Sequence, residues 1–338
     1  MRRFIPALII SIMISAHAET LVLEDTGWQP AQEALSDVQL SLAEICRLAE
    51  NQNQDGLSEK LEEFEAANPD LSGKAWDAFA EAEMIYAERD VEEAAEKFYE
   101  VLDNYPMSEF YQPALEGLYQ CGKLYLSGRK KTFLMVFKLK AYDEGEEIMR
   151  SIADRAGNAP IAKRAFYTLA ESYEKREEYI EAYNIWVEIA TRWPTGEEGL
   201  KSLYEMGKNM HQAYNGPKYD SSSLKSAEGY YGQFKKRYPE EAELRDIREK
   251  IQLTQEQQAY KEYRIAMHYY RVEDYQTAMV YLESFQENWP DSQYAGEVEK
   301  VAAECRKELE KLKDKPRIRP VDKNIFWRFA HFFDFDVK

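Results

Sequence analysis

The side chains best suited to covalent or metal chemistry are few and scattered: Cys46, Cys121 and Cys305, with His211, His268 and His331 beyond the N-terminal leader. Neither set has the close spacing of a zinc or redox motif. The chain carries no paired Cys-x-x-Cys, no His-Glu-x-x-His, no glycine-rich phosphate loop and no Gly-x-Ser-x-Gly elbow. Acidic pairs such as Glu92-Glu93 and Glu177-Glu178 fall on helix faces and turns, where solvated carboxylates are the ordinary outcome. The expectation is therefore a protein without catalytic residues, metal or cofactor, one that binds and does not turn over a substrate. The cysteines lie in helix-patterned sequence and read as small buried hydrophobes, although the polar surroundings of Cys46 leave an intermolecular disulfide open.

Binding chemistry is better represented. Rings interspersed with charge recur at helical spacing as Trp76, Phe79, Glu83 and Tyr86, then Arg164, Tyr167, Glu171 and Glu174, then Tyr260, Tyr263, Met267, Tyr270 and Arg271. Such a face offers an extended peptide ring contacts and side-chain hydrogen bonds to its backbone. The same rings would equally serve packing between neighbouring helices.

The elements that position these residues follow from an internal repeat. Four aromatic-proline pairs, Tyr105-Pro106, Trp193-Pro194, Tyr238-Pro239 and Trp289-Pro290, each close a helical segment, because proline lacks the donor and clashes with the preceding turn. Counting back from Pro106, Pro194 and Pro290, a small residue stands 24 positions earlier (Ala82, Ala170, Ala266) and another 12 earlier (Ala94, Ala182, Ala278). A large apolar residue stands 8 earlier (Phe98, Trp186, Leu282). Small residues let two antiparallel helices approach, and the large one fills the gap beside them. The spacing predicts an all-α, tetratricopeptide-like helical-repeat solenoid of about five helix pairs over residues 59–312. Degenerate pairs are expected at Pro113–Leu126 with Asp143–Ala156, and at Leu200–Ala213 with the helix carrying Ala227, Tyr231 and Phe234; Glu59–Ala67 reads as a capping helix. Two inserts interrupt the period: the basic, apolar Gly128–Lys140, which suits a partner, an anionic lipid surface or an elongated connection, and the turn-rich Asn215–Ser223.

The ends of the chain have their own chemistry. Met1-Arg2-Arg3 followed by an apolar run of roughly eleven residues and Ala16-His17-Ala18 has the form of a secretory signal, with cleavage expected after Ala18. The run is too short to span a bilayer. Losing Arg2 and Arg3 takes the net charge from −18 to −20, which argues against nucleic-acid binding. The expected organisation is thus a signal peptide at 1–18, a lead segment at 19–58, N-terminal repeats at 59–200, C-terminal repeats at 201–312 and a basic, aromatic tail at 313–338. In that tail, Phe326, Trp327, Phe329, Phe332, Phe333 and Phe335 fit three roles: capping the last repeat, inserting into a partner, or lying at a membrane interface.

The segments Ala213-Tyr214-Asn215-Gly216-Pro217-Lys218-Tyr219-Asp220, Tyr231–Pro239, Tyr263–Arg271 and Asn288–Ala295 resemble the BamD family, periplasmic repeat lipoproteins of the outer-membrane β-barrel assembly machinery. The resemblance covers roughly residues 75–310. It implies that the N-terminal repeats receive unfolded outer-membrane protein clients, through Trp76, Phe79, Tyr86, Arg164, Tyr167 and Glu171. The C-terminal repeats would dock the barrel insertase subunit through Tyr260, Tyr263, Met267, Tyr270 and Arg271. It also implies a place in the periplasm at the outer membrane. Family members carry a lipidated cysteine directly after the signal, whereas here Ala18-Glu19 stands at that point, so the tail becomes a candidate membrane contact. A free periplasmic scaffold for envelope or cell-wall complexes is the alternative function.

Overall fold

The computed structural model describes residues 21–24, 27–30, 36–133 and 137–313, which fall into two compact units divided between Leu169 and Ala170. In the first unit β1 (Leu21–Glu24) pairs antiparallel with β2 (Gly27–Pro30), and helices α1 (Asp37–Glu50), α2 (Gln54–Ala67), α3 (Lys74–Ala87), α4 (Val91–Asn104) and α5 (Tyr111–Leu126) follow. A ribbon of β3 (Lys130–Phe133) and β4 (Phe137–Lys140) then leads into α6 (Tyr142–Ala156). Helix α7 (Pro160–Lys175) begins in the first unit and ends in the second. The second unit continues with α8 (Tyr179–Arg192), α9 (Gly196–Gln212), α10 (Ser222–Arg237), the short α11 (Pro239–Leu244), α12 (Ile247–Arg271), α13 (Tyr275–Asn288) and α14 (Ala295–Lys313). Among the described residues, no helix is long and apolar enough to cross a membrane.

Within each unit, helices pack on their sequence neighbours, α3 on α4 and α5 on α6 in the first, α9 on α10 and α12 on α13 in the second. The repeat register explains why. Ala82, Ala94, Ala170, Ala182, Ala266 and Ala278 are all fully buried, as are Phe98 and Leu282, with Trp186 nearly so. Degenerate pairs solve the same steric problem with glycine: a Cβ on Gly117 would meet the Phe98 ring at 2.2 Å, and one on Gly207 the Tyr231 ring at 2.9 Å. The all-α, tetratricopeptide-like fold is thus present, with two short β-ribbons added to it.

The turn inside a pair is equally regular, in a way the residue types do not advertise. Gln52, Arg89, Glu177 and Glu273 adopt positive φ of 58°, 69°, 61° and 61°, each seventeen positions before a proline. A left-handed residue is the usual way to end a helix, and here non-glycine residues adopt it. In three of the four turns the next residue caps the second helix: the side chains of Asn53, Asp90 and Asp274 accept from the N–H of Gly56, Glu93 and Thr277.

Helical pairing starts ahead of residue 59. Within the lead segment 19–58, Ser36 and Gln39 form a capping box that starts α1, and α1 packs on an α2 that begins at Gln54. The expected Glu59–Ala67 cap is the second half of that pair. Pro113 sits at the third helical position of α5 and not the first.

Candidate functional site

The residues expected to line a client groove in the first unit are divided by the structure. Trp76, Phe79 and Tyr86 are buried, and so is Glu83. Trp76 stacks on Phe64 at 4.5 Å, and Phe79 stacks on Phe110 at 5.5 Å, so these rings join α2, α3 and the start of α5 into one aromatic core. The cause is α1, which packs on both α3 and α5 and contributes the buried Leu42, Ile45 and Ala49. These three rings are therefore a correction to the expected client face. Arg164 is buried too, whereas Tyr167 is half-buried and Glu171 exposed, which leaves those two accessible to a client.

Beneath α1 lies a polar cluster. Arg164 donates to Glu116 in fork geometry, Nη1 to Oε2 at 2.7 Å and Nη2 to Oε1 at 2.9 Å, and its guanidinium sits 4.3 Å from the centre of the Tyr119 ring. Tyr119 and Thr168 share a hydroxyl contact at 2.8 Å. Glu83 accepts from the Cys46 thiol at 3.3 Å. Burial, followed by the charges of Glu50 and Glu116, pushes the Glu83 carboxyl up to about 8, against a lowering by its Cys46 contact. Burial first, then Glu116, also raises Glu50. The Cys46 thiol is buried and pushed upward, mainly by burial and then by Glu83, which removes the exposed reactive thiol needed for an intermolecular disulfide. Cys121 and Cys305 are likewise buried free thiols, as their helical setting suggested.

In the second unit the expected docking residues come together on one face. Tyr263 stacks on Tyr294 at 4.8 Å, and Tyr260 lies 5.3 Å from Tyr294 and 6.4 Å from Tyr263. The Arg264 guanidinium donates to the Tyr260 hydroxyl at 2.9 Å. Further along α12, the Tyr270 hydroxyl donates to Glu304 at 2.5 Å. That bond, followed by burial, pushes the Tyr270 phenol up to about 12, and burial together with Glu297 does the same for Tyr263. Tyr260, Tyr263, Met267 and Tyr270 are half-buried and Arg271 is exposed, so the face combines fixed rings with accessible edges.

Three contributors lay outside the expected set. Tyr294, four residues after Pro290, is brought in by the start of α14; Glu304 comes from one face of α14; and the Asn215–Ser223 insert reaches α12, where Lys261 donates to the Tyr219 carbonyl. Gly216, at φ +104°, lets that insert turn, and Tyr219 itself is 59% exposed. Tyr219 and Tyr294 lie in segments that carry the family resemblance, whereas Glu304 has no signal in the sequence.

His211 contacts Gln257 at 2.9 Å, and His268 lies against Tyr269, so neither is drawn into a metal-like group. Among the described residues there is no group of three or more His, Cys, Asp or Glu that could hold a metal. The tail residues Phe326, Trp327, Phe329, Phe332, Phe333 and Phe335, with His331, lie outside the described residues.

A sequence profile of the YfiO family, described as outer membrane lipoprotein, matches residues 135–317, more than half of the chain. The match takes in the whole described second unit and its tyrosine face; the resemblance read over residues 75–310 begins earlier than the profile does. No curated protein sequence matches the chain.

Proposed function

Since this chain belongs to the outer membrane lipoprotein family YfiO, the BamD family of its resemblance, we propose that it is a non-enzymatic component of outer-membrane β-barrel protein assembly. In this reading the second unit docks the barrel insertase subunit at the periplasmic face of the outer membrane. The observation that carries it is the tyrosine face of α12 and α14, which lies wholly within the family match. Stacked rings lose little freedom when a partner lands on them, and Tyr presents both an apolar body and a polar edge. The acidic balance of the chain favours a basic patch on that partner. Unfolded outer-membrane protein clients would meet helix α7, where Tyr167 is half-buried and Glu171 exposed, the accessible members of the expected client set.

Affinity purification of the full chain from detergent-solubilised envelopes tests the docking half. The wild-type chain should recover the insertase subunit, and a Tyr263→Ala, Tyr294→Ala variant with unchanged far-ultraviolet circular dichroism should recover at least about fivefold less, as expected for central aromatic anchors. Consistent failure of the wild-type chain to bring the insertase down would end this reading.

A further inference from the structure

We propose that the tyrosine face receives an amphipathic α-helix of its partner, one that carries basic residues along the flank facing α14. This rests on the docking reading above and specifies the element that docks.

Position on α12 comes first. At about 100° per residue, Tyr263 and Tyr270 share one line along the helix, Tyr260 and Met267 the next, and Arg264 and Arg271 a third. Each line repeats after seven residues, two helical turns. Helix α14 lies beside the first line: the Tyr270 hydroxyl donates to Glu304, and Glu297 stands against the Tyr263 hydroxyl. Both carboxylates are exposed, and they too are seven residues apart. Each follows its tyrosine by 34 positions, as Tyr294 follows Tyr260, so α14 continues the repeat one period on from α12.

Across the surface the order is therefore carboxylates, then tyrosine rings with Met267, then guanidiniums. The last row is held in place, because Arg271 donates to the Met267 carbonyl and Arg264 to the Tyr260 hydroxyl. Beyond Glu304 the acidic row closes, since Glu308 is paired with Lys311.

A ring-and-methionine strip between two rows of opposite sign, all repeating every seven residues, matches a helix with a heptad stripe. The apolar residues of that helix meet the strip, its basic flank meets Glu297 and Glu304, and its acidic flank meets Arg264 and Arg271. An extended peptide fits worse. Its side chains alternate with a period of two, and it draws affinity from an open sheet edge, whereas α12 and α14 bond their backbone groups within the helix.

Photo-crosslinking in intact envelopes reads the docked element directly. A photoreactive residue at position 297 in one variant and at position 304 in another samples two points about 10.5 Å apart. The insertase residues captured by the two should lie about seven apart in its sequence, the spacing of a helix. A separation of about three, the spacing of an extended chain, overturns the proposal, as does capture on unrelated segments. Affinity purification of the full chain reads the flank charge. Glu297→Lys, Glu304→Lys should lower insertase recovery at least about tenfold, because like charges across an interface are strongly disfavoured. Glu297→Gln, Glu304→Gln should lower it about threefold, and it keeps the test open if the charge-reversed variant folds poorly. Undiminished recovery by both variants overturns the proposal. Insertase recovery by the wild-type chain without capture at either position also overturns it and leaves the docking reading standing. A wild-type chain that recovers no insertase ends the docking reading and this proposal with it.

Discussion

Glu116→Gln is expected to destabilise the first unit by roughly 3–5 kcal/mol, the usual cost of stripping one partner from a buried ion pair. The Glu116 side chain is 1% exposed and that of Arg164 8%, and the two are joined through both guanidinium forks. Burial works against the Arg164 charge, yet the Glu116 bonds and charge hold the guanidinium above its ordinary value. Without Glu116 that cation keeps the Tyr119 ring beside it but loses the carboxylate it is bonded to. The double change Glu116→Leu, Arg164→Met should recover most of the loss, because an apolar pair of similar volume removes both desolvation costs together. Urea unfolding followed by circular dichroism reads both effects. A Glu116→Gln midpoint equal to wild type would mean that Arg164 finds water or another acceptor.

Glu83→Gln should act in the opposite direction. A carboxyl at about 8 in the folded chain and near 4.5 when unfolded takes up a proton on folding between those values. The unfolded state, already ionised, binds fewer protons there, so native stability declines as pH rises from about 4.5 to about 8 and levels off above. Glutamine cannot ionise and still offers the Cys46 thiol an acceptor. The variant should therefore match wild type near pH 5 and exceed it by on the order of 3 kcal/mol near pH 8. Melting temperatures of the two proteins across that range should diverge with increasing pH; parallel curves would show that Glu83 does not carry the titration.

The repeat positions were legible because sterics restrict them. Ala82, Ala170 and Ala266 stand where two helix backbones approach, and each is fully buried as the spacing required. Helix α1 was harder to see: it has no small-residue register or aromatic-proline mark, and its clearest signal is the Ser36 and Gln39 capping box. The error at Trp76 and Phe79 follows from that omission. An aromatic residue on the first helix of a pair suits a groove and a core equally well, and only the covering helix α1 decides which it becomes. On α12, by contrast, Tyr260 and Tyr263 stay half-buried, with Tyr294 against them. The further members of that face, Tyr294 just before α14 and Glu304 within it, join only through tertiary packing.

The central claim is that the α12 and α14 tyrosine face meets the barrel insertase. Photo-crosslinking tests it most directly, with a photoreactive residue at the exposed Arg271, beside Tyr270, and a control at the exposed Glu96 on α4. In intact envelopes, position 271 should give an adduct containing the insertase subunit and position 96 should not. No insertase adduct at 271, or an equal yield from both positions, would contradict the account.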